Sequence, residues 1–280
     1  MYMQLEDEFG DVVGKARRGR EISVTALAEQ VAVSENDIER IESYELTPPD
    51  ETIDALADYL ELDAAKLRSA AGKRFFPLYP SGRPVEGLVL VMLVLGSDFL
   101  MNGYVVGCQE THKGVVIDPG FDPEKILKAV EAAELEIEEV LLTHGHGDHT
   151  GALSEVCQAT GAPARINQAD DHLLGGERTK IEGEIAAGDS ILVGNQRFSV
   201  AATPGHTPGG VSLIHENVAI VGDALFAGSV GGTRNVDDFQ MQRSAVAEQL
   251  LSLDEKVQLF PGHGPATTVG EERSNNPFFT

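Results

Sequence analysis

The sequence predicts an α/β protein in which a small all-helical region precedes a larger region of stacked sheets with helices outside. Three observations support this prediction. Residues 5–71 contain only three glycines and carry apolar side chains at helical spacing. From Val85 onward, short apolar runs alternate with glycine-rich turns. Only a few later segments carry a helical pattern, and many strands with few helices are typical of packed sheets that helices cover.

Composition indicates a soluble folded protein with an acidic surface. The chain has 280 residues, of which 42% are hydrophobic, enough for one large domain or two unequal ones. Its formal net charge is −24, from 45 acidic and 21 basic residues. A field of this sign disfavours nucleic acids and anionic membranes as partners. The longest apolar run, residues 88–95, is too short to cross a bilayer, so we predict a buried strand and no membrane association.

Cysteine usage and the N-terminus favour a cytoplasmic location. The two cysteines, Cys108 and Cys157, provide no disulfide framework and lie far apart in sequence. We expect both to be small buried apolar side chains. Residues 1–8 are acidic and lack the basic-then-apolar order of a signal peptide.

The first 72 residues predict a domain of short helices. Residues 25–42 predict two helices joined by a tight turn, and Ser34 with Asp37 forms the capping-box pattern that begins the second. Residues 53–60 carry apolar side chains at i, i+3, i+4 and i+7, after a start signal at residues 48–50.

Residues 8–70 resemble the helix-turn-helix domain of the Cro/C1 repressor family, with Ala32 at the turn position where that family has glycine. The resemblance implies DNA binding through the second helix. That helix is acidic, however, with Arg40 as its one basic residue; its acidic residues are Glu35, Asp37, Glu39 and Glu42. Because phosphate contacts require cations, DNA is not the expected partner. Dimerisation, protein docking or covering a substrate is expected instead.

A linker is predicted to separate this domain from the rest of the chain. Residues 73–86 contain three prolines and no hydrophobic period, which is typical of a domain linker. The predicted organisation is therefore a helical domain over residues 1–72, a linker over residues 73–86, and a second domain over residues 87–280. The linker's aromatic side chains are expected to lie against the second domain.

A histidine-rich loop in the second domain predicts a metal site. Residues 143–149 (THGHGDH) follow a short apolar segment at 139–142 and precede a predicted helix ending near residue 160. The histidines and the aspartate of this strand-to-helix loop can converge on one point; they are His144, His146, Asp148 and His149. Neutral imidazole and carboxylate are the ligands of zinc and similar divalent metals.

Further ligand-type residues recur in similarly punctuated loops. Asp118 and Asp223 each end an apolar strand, while His206 and His263 each follow a Pro-Gly pair. A single Pro-Gly-His tripeptide is more often a plain turn than a ligand site. Several such loops at strand ends predict preorganised ligands gathered at one edge of the stacked sheets.

These motifs resemble the metallo-β-lactamase superfamily over residues 87–280, and in particular its glyoxalase II (hydroxyacylglutathione hydrolase) branch. The resemblance rests on residues 143–149, 225–232 and 260–273, together with His206 and Asp223. It implies an αββα sandwich with two metal ions. The implied ligands are His144, His146 and His206 for one ion and Asp148, His149 and His263 for the other, with Asp223 bridging both. Asp118 is implied to support the site from behind.

The resemblance also implies a metal-dependent hydrolase whose substrate is a small thioester or related acyl compound. The expected cofactors are two divalent ions, with zinc first and iron or manganese as alternatives. Water bound to such an ion falls from a pKa of about 15.7 to about 7 and can attack the acyl carbonyl as hydroxide. Asp148 or Asp223 is the predicted catalytic residue for proton transfer.

Two departures from the branch leave the substrate open. The helical C-terminal domain of glyoxalase II has no counterpart in the seventeen residues after His263. The Arg-Thr-Asp of that branch stands here as Gly232-Thr233-Arg234. The N-terminal helices are an expected replacement for the missing cover.

Two alternative functions remain. One is a persulfide dioxygenase-like oxidoreductase, for which His144, His206 and Asp223 would hold a single iron. The other is a regulator whose metal domain senses a ligand and whose helices act on DNA. The remaining histidines are expected to have structural roles; they are His112, His172 and His215. Residues 168–183 are predicted to form a loop or short helix over the site.

Overall fold

The computed structural model describes residues 4–280; residues 1–3, the beginning of the acidic N-terminus, lie outside the described part. Five helices come first: α1 Phe9–Gly19, α2 Val24–Gln30, α3 Glu35–Glu42, α4 Asp50–Leu60 and α5 Ala64–Ala71. Within residues 4–280, no helix combines the length and apolar character that crossing a membrane requires.

The first sheet contains six strands in sequence order. They are β1 Leu88–Leu95, β2 Met101–Cys108, β3 Lys113–Ile117, β4 Glu136–Leu141, β5 Ala164–Ile166 and β6 Ile181–Glu184. The first three pair antiparallel, with Leu88 opposite Cys108, and the last four pair parallel. Since parallel neighbours end at the same edge of a sheet, the segments that follow β3 and β4 lie side by side.

The second sheet also contains six strands, in the order β14-β13-β10-β9-β8-β7. They are β7 Ser190–Val193, β8 Gln196–Ala202, β9 Val211–Ile214, β10 Val218–Gly222, β13 Gln258–Pro261 and β14 Thr267–Thr268. Strands β10 and β13 pair parallel, so their C-terminal ends also share an edge. A separate small hairpin pairs β11 Leu225–Phe226 with β12 Ser229–Val230.

The two sheets pack face to face and helices cover both outer faces, which confirms the predicted α/β sandwich. The layer against the first sheet is formed by α6 Pro123–Ala132 and α8 Leu153–Thr160. The layer against the second sheet contains α9 Val236–Ala245, which continues as a π-helical turn over Val246–Leu250, and α10 Val269–Asn275. Between the sheets, Tyr104, Phe198 and Phe260 are the largest fully buried side chains.

The N-terminal helices join the outer layer of the second sheet. Phe9 and Val12 of α1 share one buried apolar cluster with Val221, Leu259 and Phe278. The division of the chain into separate domains therefore stays a prediction, since the helices and the sandwich have a common core. Residues 73–86 form no helix or strand and lie along the sandwich.

The turn between α2 and α3 has the features that its sequence predicts. Ser34 accepts a hydrogen bond from the Asp37 backbone, and the Asp37 side chain bonds back to Ser34. Ala32 adopts φ +56°, in the left-handed region that favours glycine.

Candidate metal centre

Seven predicted ligands lie at one edge of the sandwich, where strands of both sheets end. His144, His146, Asp148 and His149 follow β4, the last two within the short helix α7 (Gly147–Thr150); His206 lies between β8 and β9, Asp223 follows β10, and His263 follows β13. Two triads have ligand atoms within 4.8 Å of one another: His144, His146 and His206 in the first, and Asp148, His149 and His263 in the second. The structure thus brings these side chains together, while their role as ligands stays a prediction.

In the first triad, three imidazoles enclose a small space. The His206 Nε2 atom lies 2.9 Å from His146 Nδ1 and 3.2 Å from the Asp223 Oδ2 atom. The His144 Nε2 atom lies 3.9 Å from the same Asp223 oxygen. Three ring nitrogens and a carboxylate oxygen facing one point are a suitable donor set for zinc or iron.

In the second triad, the Asp148 carboxylate faces two imidazoles. Its Oδ2 atom lies 3.4 Å from His149 Nε2 and 3.3 Å from His263 Nε2. Asp223 Oδ1 lies 3.4 Å from His149 Nε2, and Asp223 Oδ2 lies 3.5 Å from His263 Nε2. Asp223 therefore stands between the triads, with an oxygen near each.

Two buried atoms at the centre lack hydrogen-bond partners. Among the described residues, neither His144 Nε2 nor Asp223 Oδ1 has one, although both are shielded from solvent. Leaving such a group unsatisfied costs about 1–3 kcal/mol. A cation between the triads would satisfy both atoms, so the residues present fit a pair of divalent ions.

The electrostatics also favour positive charge at this place. Burial holds the pKa of His144 well below its usual value, so this imidazole stays neutral, as a ligand must be. Burial opposes ionisation of Asp223, but the positive charge of His149 and a hydrogen bond from His263 outweigh it and hold the carboxyl pKa well below its usual value. Burial also disfavours a charged His263, yet hydrogen bonds to Asp148 and Asp223 raise its pKa to about 11.

Asp118 orients the site from the end of β3. It is fully buried, and its carboxylate accepts hydrogen bonds from the Thr143 backbone N at 2.8 Å and from Thr143 Oγ1 at 2.6 Å. The His149 Nδ1 atom lies 3.0 Å from the same carboxylate. Asp118 also lies near His144 and His149 as a third potential metal group, but its oxygens are already used by these bonds. Its contacts are those of a residue that orients a ligating imidazole.

Backbone carbonyls fix the two histidines that follow Pro-Gly pairs. His206 Nδ1 donates to the Gly232 carbonyl at 2.7 Å, and His263 Nδ1 donates to the Leu100 carbonyl at 2.8 Å. Because a carbonyl only accepts, each Nδ1 carries the proton. Each Nε2 therefore faces the centre with a free lone pair when the ring is neutral.

Sequence reasoning missed two buried residues that hold the loops of the site. Asp170 accepts from the Gly145 backbone at 3.0 Å and from the Gly209 backbone at 2.7 Å, and so joins the loops on either side of the first triad. Asn102 donates to the carbonyls of Pro261 at 2.9 Å and Gly264 at 2.8 Å, and so fixes the loop of His263. Neither residue belongs to a sequence motif. For Asn102, the one available signal is that it is a polar residue within the apolar strand β2.

The other histidines and the predicted covering segment lie outside the triads. His112 and His172 each bond a backbone carbonyl through Nδ1, and His215 bonds the side chain of Gln196. The segment 168–183 forms two 3₁₀ turns, Gln168–Leu173 and Gly175–Lys180, and then enters β6. Both cysteines are buried and free; they are Cys108 and Cys157.

Comparison with known proteins identifies the family of this sandwich. Residues 99–263 match the metallo-beta-lactamase superfamily. An uncharacterized protein of Aquifex aeolicus (strain VF5) is 32% identical over 210 residues, which cover 68% of this chain and 97% of that protein. Hydroxyacylglutathione hydrolase GloC of Haemophilus influenzae is 33% identical over 186 residues, which cover 58% of this chain and 85% of that protein.

Solved structures share the same fold. BLEG-1 B3 metallo-beta-lactamase superposes with a TM-score of 0.62 at 31% identity, covering 69% of this chain and 100% of its own. ETHE1 from Myxococcus xanthus gives 0.59 at 26% identity, with coverage of 68% and 83%. TTHA1623 in a di-iron-bound form gives 0.58 at 32% identity, with coverage of 67% and 99%. The chain belongs to the metallo-beta-lactamase superfamily, whose members are typically metal-dependent hydrolases.

Proposed function

We propose that this protein is a binuclear metal-dependent hydrolase that cleaves a thioester or a related acyl compound. The observation that carries the proposal is the position of Asp223. Its carboxylate faces both triads, and its buried Oδ1 atom has no hydrogen-bond partner among the described residues. An acidic oxygen shared by two imidazole-rich half-sites suits a bridging ligand for two ions.

The proposed ligands form two sets, one for each metal ion. His144, His146 and His206 would hold one ion, and Asp148, His149 and His263 the other, in the order that the family resemblance implies. When bound, the ions lower the pKa of coordinated water to about 7 and polarise an acyl oxygen.

Asp148 is the more exposed of the two predicted catalytic carboxylates, with 23% of its side chain accessible against 6% for Asp223. This exposure favours Asp148 as the group that exchanges a proton with the substrate. Asp118 keeps the ring of His149 in the orientation that directs Nε2 to the centre.

The relatives support the substrate class and leave the metal open. Hydroxyacylglutathione hydrolases occur among the relatives, at 33% identity in Haemophilus influenzae and 32% in Polaromonas sp.. These names favour a thioester as substrate. Zinc remains the first choice of metal, and the di-iron-bound form of TTHA1623 supports iron as the alternative.

A persulfide dioxygenase-like activity is the second candidate. The structural likeness to ETHE1 from Myxococcus xanthus, at 26% identity, favours it over other oxidoreductase activities. One iron held by His144, His206 and Asp223 would be sufficient for it. Under this alternative, Asp148 and His263 would not bind a metal ion.

Elemental analysis of native protein, combined with two assays, tests the proposal. We expect two metal ions per chain, together with hydrolysis of S-lactoylglutathione or of a simpler acyl thioester. Chelation should abolish the hydrolysis, and adding back zinc or iron should restore it. One iron per chain with oxygen consumption on a persulfide would instead support the second candidate. Protein that cannot be loaded with any metal would contradict both.

We further propose that α2 and α3 form a helix-turn-helix unit that does not bind DNA. The capping box at Ser34 and the left-handed Ala32 in the turn support the unit. The outward side chains Glu35 and Glu39 make its second helix acidic. A role in covering the metal site or in dimerisation fits this surface better than a role in transcription, the third alternative.

A further inference from the structure

The imidazole of His263 contacts two aromatic rings. The ring of Phe99 lies 5.2 Å from it, and the ring of Phe226 lies 5.6 Å from it on an edge-to-face approach. Phe99 is 54% exposed, whereas Phe226 is buried in the β11–β12 hairpin. The position of Phe226 therefore limits where the ring of His263 can lie.

A lysine from the N-terminal helices also contacts the ring of Phe226. The Lys15 Nζ atom, on α1, lies 4.6 Å from the centre of the Phe226 ring, within cation–π range. The same atom donates to the Val230 carbonyl at 2.9 Å, on the partner strand of the hairpin. Lys15 thus contacts both strands that position the aromatic ring.

This lysine is a half-buried cation with a buried counter-charge. The side chains of Lys15 and Asp7 form an ion pair and are 15% and 6% exposed. Burying two charges costs several kcal/mol per ion before their attraction is counted, so the pair is weak evidence for stability alone. Unlike a surface ion pair, the Lys15–Asp7 pair lies between α1 and the hairpin that carries Phe226.

The chain before α1 contacts the loop of His263 as well. Gly264 has φ +73°, and a Cβ atom built there would lie 2.9 Å from the backbone N of Glu6. Glu6 therefore packs directly on the residue that follows His263. A side chain at position 264 would be strained and would also displace this segment.

The first triad is held by a different part of the molecule. Its His206 ring is bonded to Gly232, and the Nδ1 atom of His144 lies 3.1 Å from Thr143 Oγ1. These contacts come from the loops of the sandwich. Helix α1 also approaches this half-site, because Gly19 lies against Thr233, the neighbour of Gly232. At the second half-site, however, Lys15 contacts an aromatic ring that touches the imidazole of His263 itself.

We propose that α1 completes the second half-site, with Lys15 as a positioning residue that acts on His263 through Phe226. This inference rests on the two ion sites of the proposed function. Its consequence is an asymmetry: loss of Lys15 weakens the ion held by Asp148, His149 and His263 and leaves the other ion in place. The helical region is then part of the metal centre.

Titration of metal-free full-length protein with Co²⁺, followed by absorption spectroscopy and calorimetry, tests this inference. We expect wild type to bind two ions. Lys15→Met should weaken the binding of one ion by about 10–100-fold, the range for losing a group that orients a ligand, and leave the other ion within about threefold of wild type. Lys15→Arg, which keeps a cation over the ring, should restore most of the affinity.

Two further variants separate positioning from misfolding. Asp7→Asn/Lys15→Met removes both charges, so no buried carboxylate is left unpaired, and we expect it to show the same selective loss with native circular dichroism. Arg18 is an exposed cation on the same helix, so the Arg18→Met variant should bind both ions as wild type does. The inference would be overturned if Lys15→Met bound both ions as tightly as wild type does. It would also be overturned if the substitution weakened the binding of both ions to the same extent. Wild type that binds no ion would contradict the proposed function itself.

Discussion

The glycine before His263 is required by space. A Cβ atom at Gly262 would lie 2.1 Å from Asp223 Oδ1 and 2.6 Å from His149 Cε1. Neither neighbour is the free end of a flexible surface chain, because both are buried at the centre of the site. The Pro-Gly-His sequence therefore provides more than a turn, since its glycine allows the two half-sites to approach.

Gly262→Ala should separate Asp223 from His149 and weaken metal binding by at least about 100-fold, the upper end for disturbing groups that orient ligands. Gly232→Ala is the matched control, because a Cβ atom there meets nothing within 4 Å and the carbonyl that accepts from His206 is kept. Metal content after dialysis and Co²⁺ titration measure the effect. Full metal content in Gly262→Ala would contradict the geometry.

One short element, the 3₁₀ turn Gln168–Leu173, connects the two loops of the first triad. Its Asp170 is fully buried and bonds the backbone of Gly145 and Gly209, whereas the neighbouring Asp171 forms a surface ion pair with Arg178. The turn is therefore a brace for the metal site. Its position in the chain, between β5 and β6, gives no indication of this.

Asp170→Ala should destabilise the fold by about 2–4 kcal/mol, because two buried backbone N–H groups lose their acceptor. It should also lower metal affinity, since the loops of His146 and His206 are no longer tied. Asp171→Ala, which removes a surface pair, should cost less than about 1 kcal/mol. Urea unfolding of the metal-free and loaded proteins measures both terms. Similar losses in the two variants would argue against the brace.

At the same scale, the sequence predicted the elements whose apolar pattern is long enough to detect. The run at 88–95 forms β1, and most of the apolar segment at 139–142 lies in β4. Strands such as β11 and β12 have two residues each, too few for an alternating pattern. Their pairing depends on contacts with distant chain segments.

The site followed the same rule. The convergence of seven candidate ligands was predictable because glycine and proline punctuate the loops that carry them, and because the motifs resemble a known family. Asp170 and Asp171 are adjacent and chemically identical, so only tertiary structure separates the buried brace from the surface pair. The contact from Lys15 to Phe226 spans two regions of the chain, and no local pattern predicts it.

For the whole molecule, the common core and the charge both bear on the N-terminal helices. Residues of α1 and α4 pack in one cluster with residues of α9, α10 and the second sheet. The chain as a whole carries a net charge of −24. A helical unit anchored in this way presents its free face within a strongly negative field.

The intact protein should therefore not retain DNA. In a gel-shift assay with random-sequence duplexes, we expect no complex between about 50 and 200 mM salt, because binding depends on cations that release counterions from phosphate. A known helix-turn-helix repressor is the positive control. A sequence-specific complex that weakens with salt would contradict this expectation and support the alternative function as a transcriptional regulator.

The proposed ligands of the metal centre follow strands of both sheets, and they span residues 144 to 263. Neither sheet alone carries the complete set, because four of these residues follow β4 of the first sheet and three follow strands of the second. We therefore expect metal capture to follow the docking of one sheet on the other. Protein refolded under chelation and supplied with ions afterwards should reach the same loaded state as protein refolded with ions present from the start.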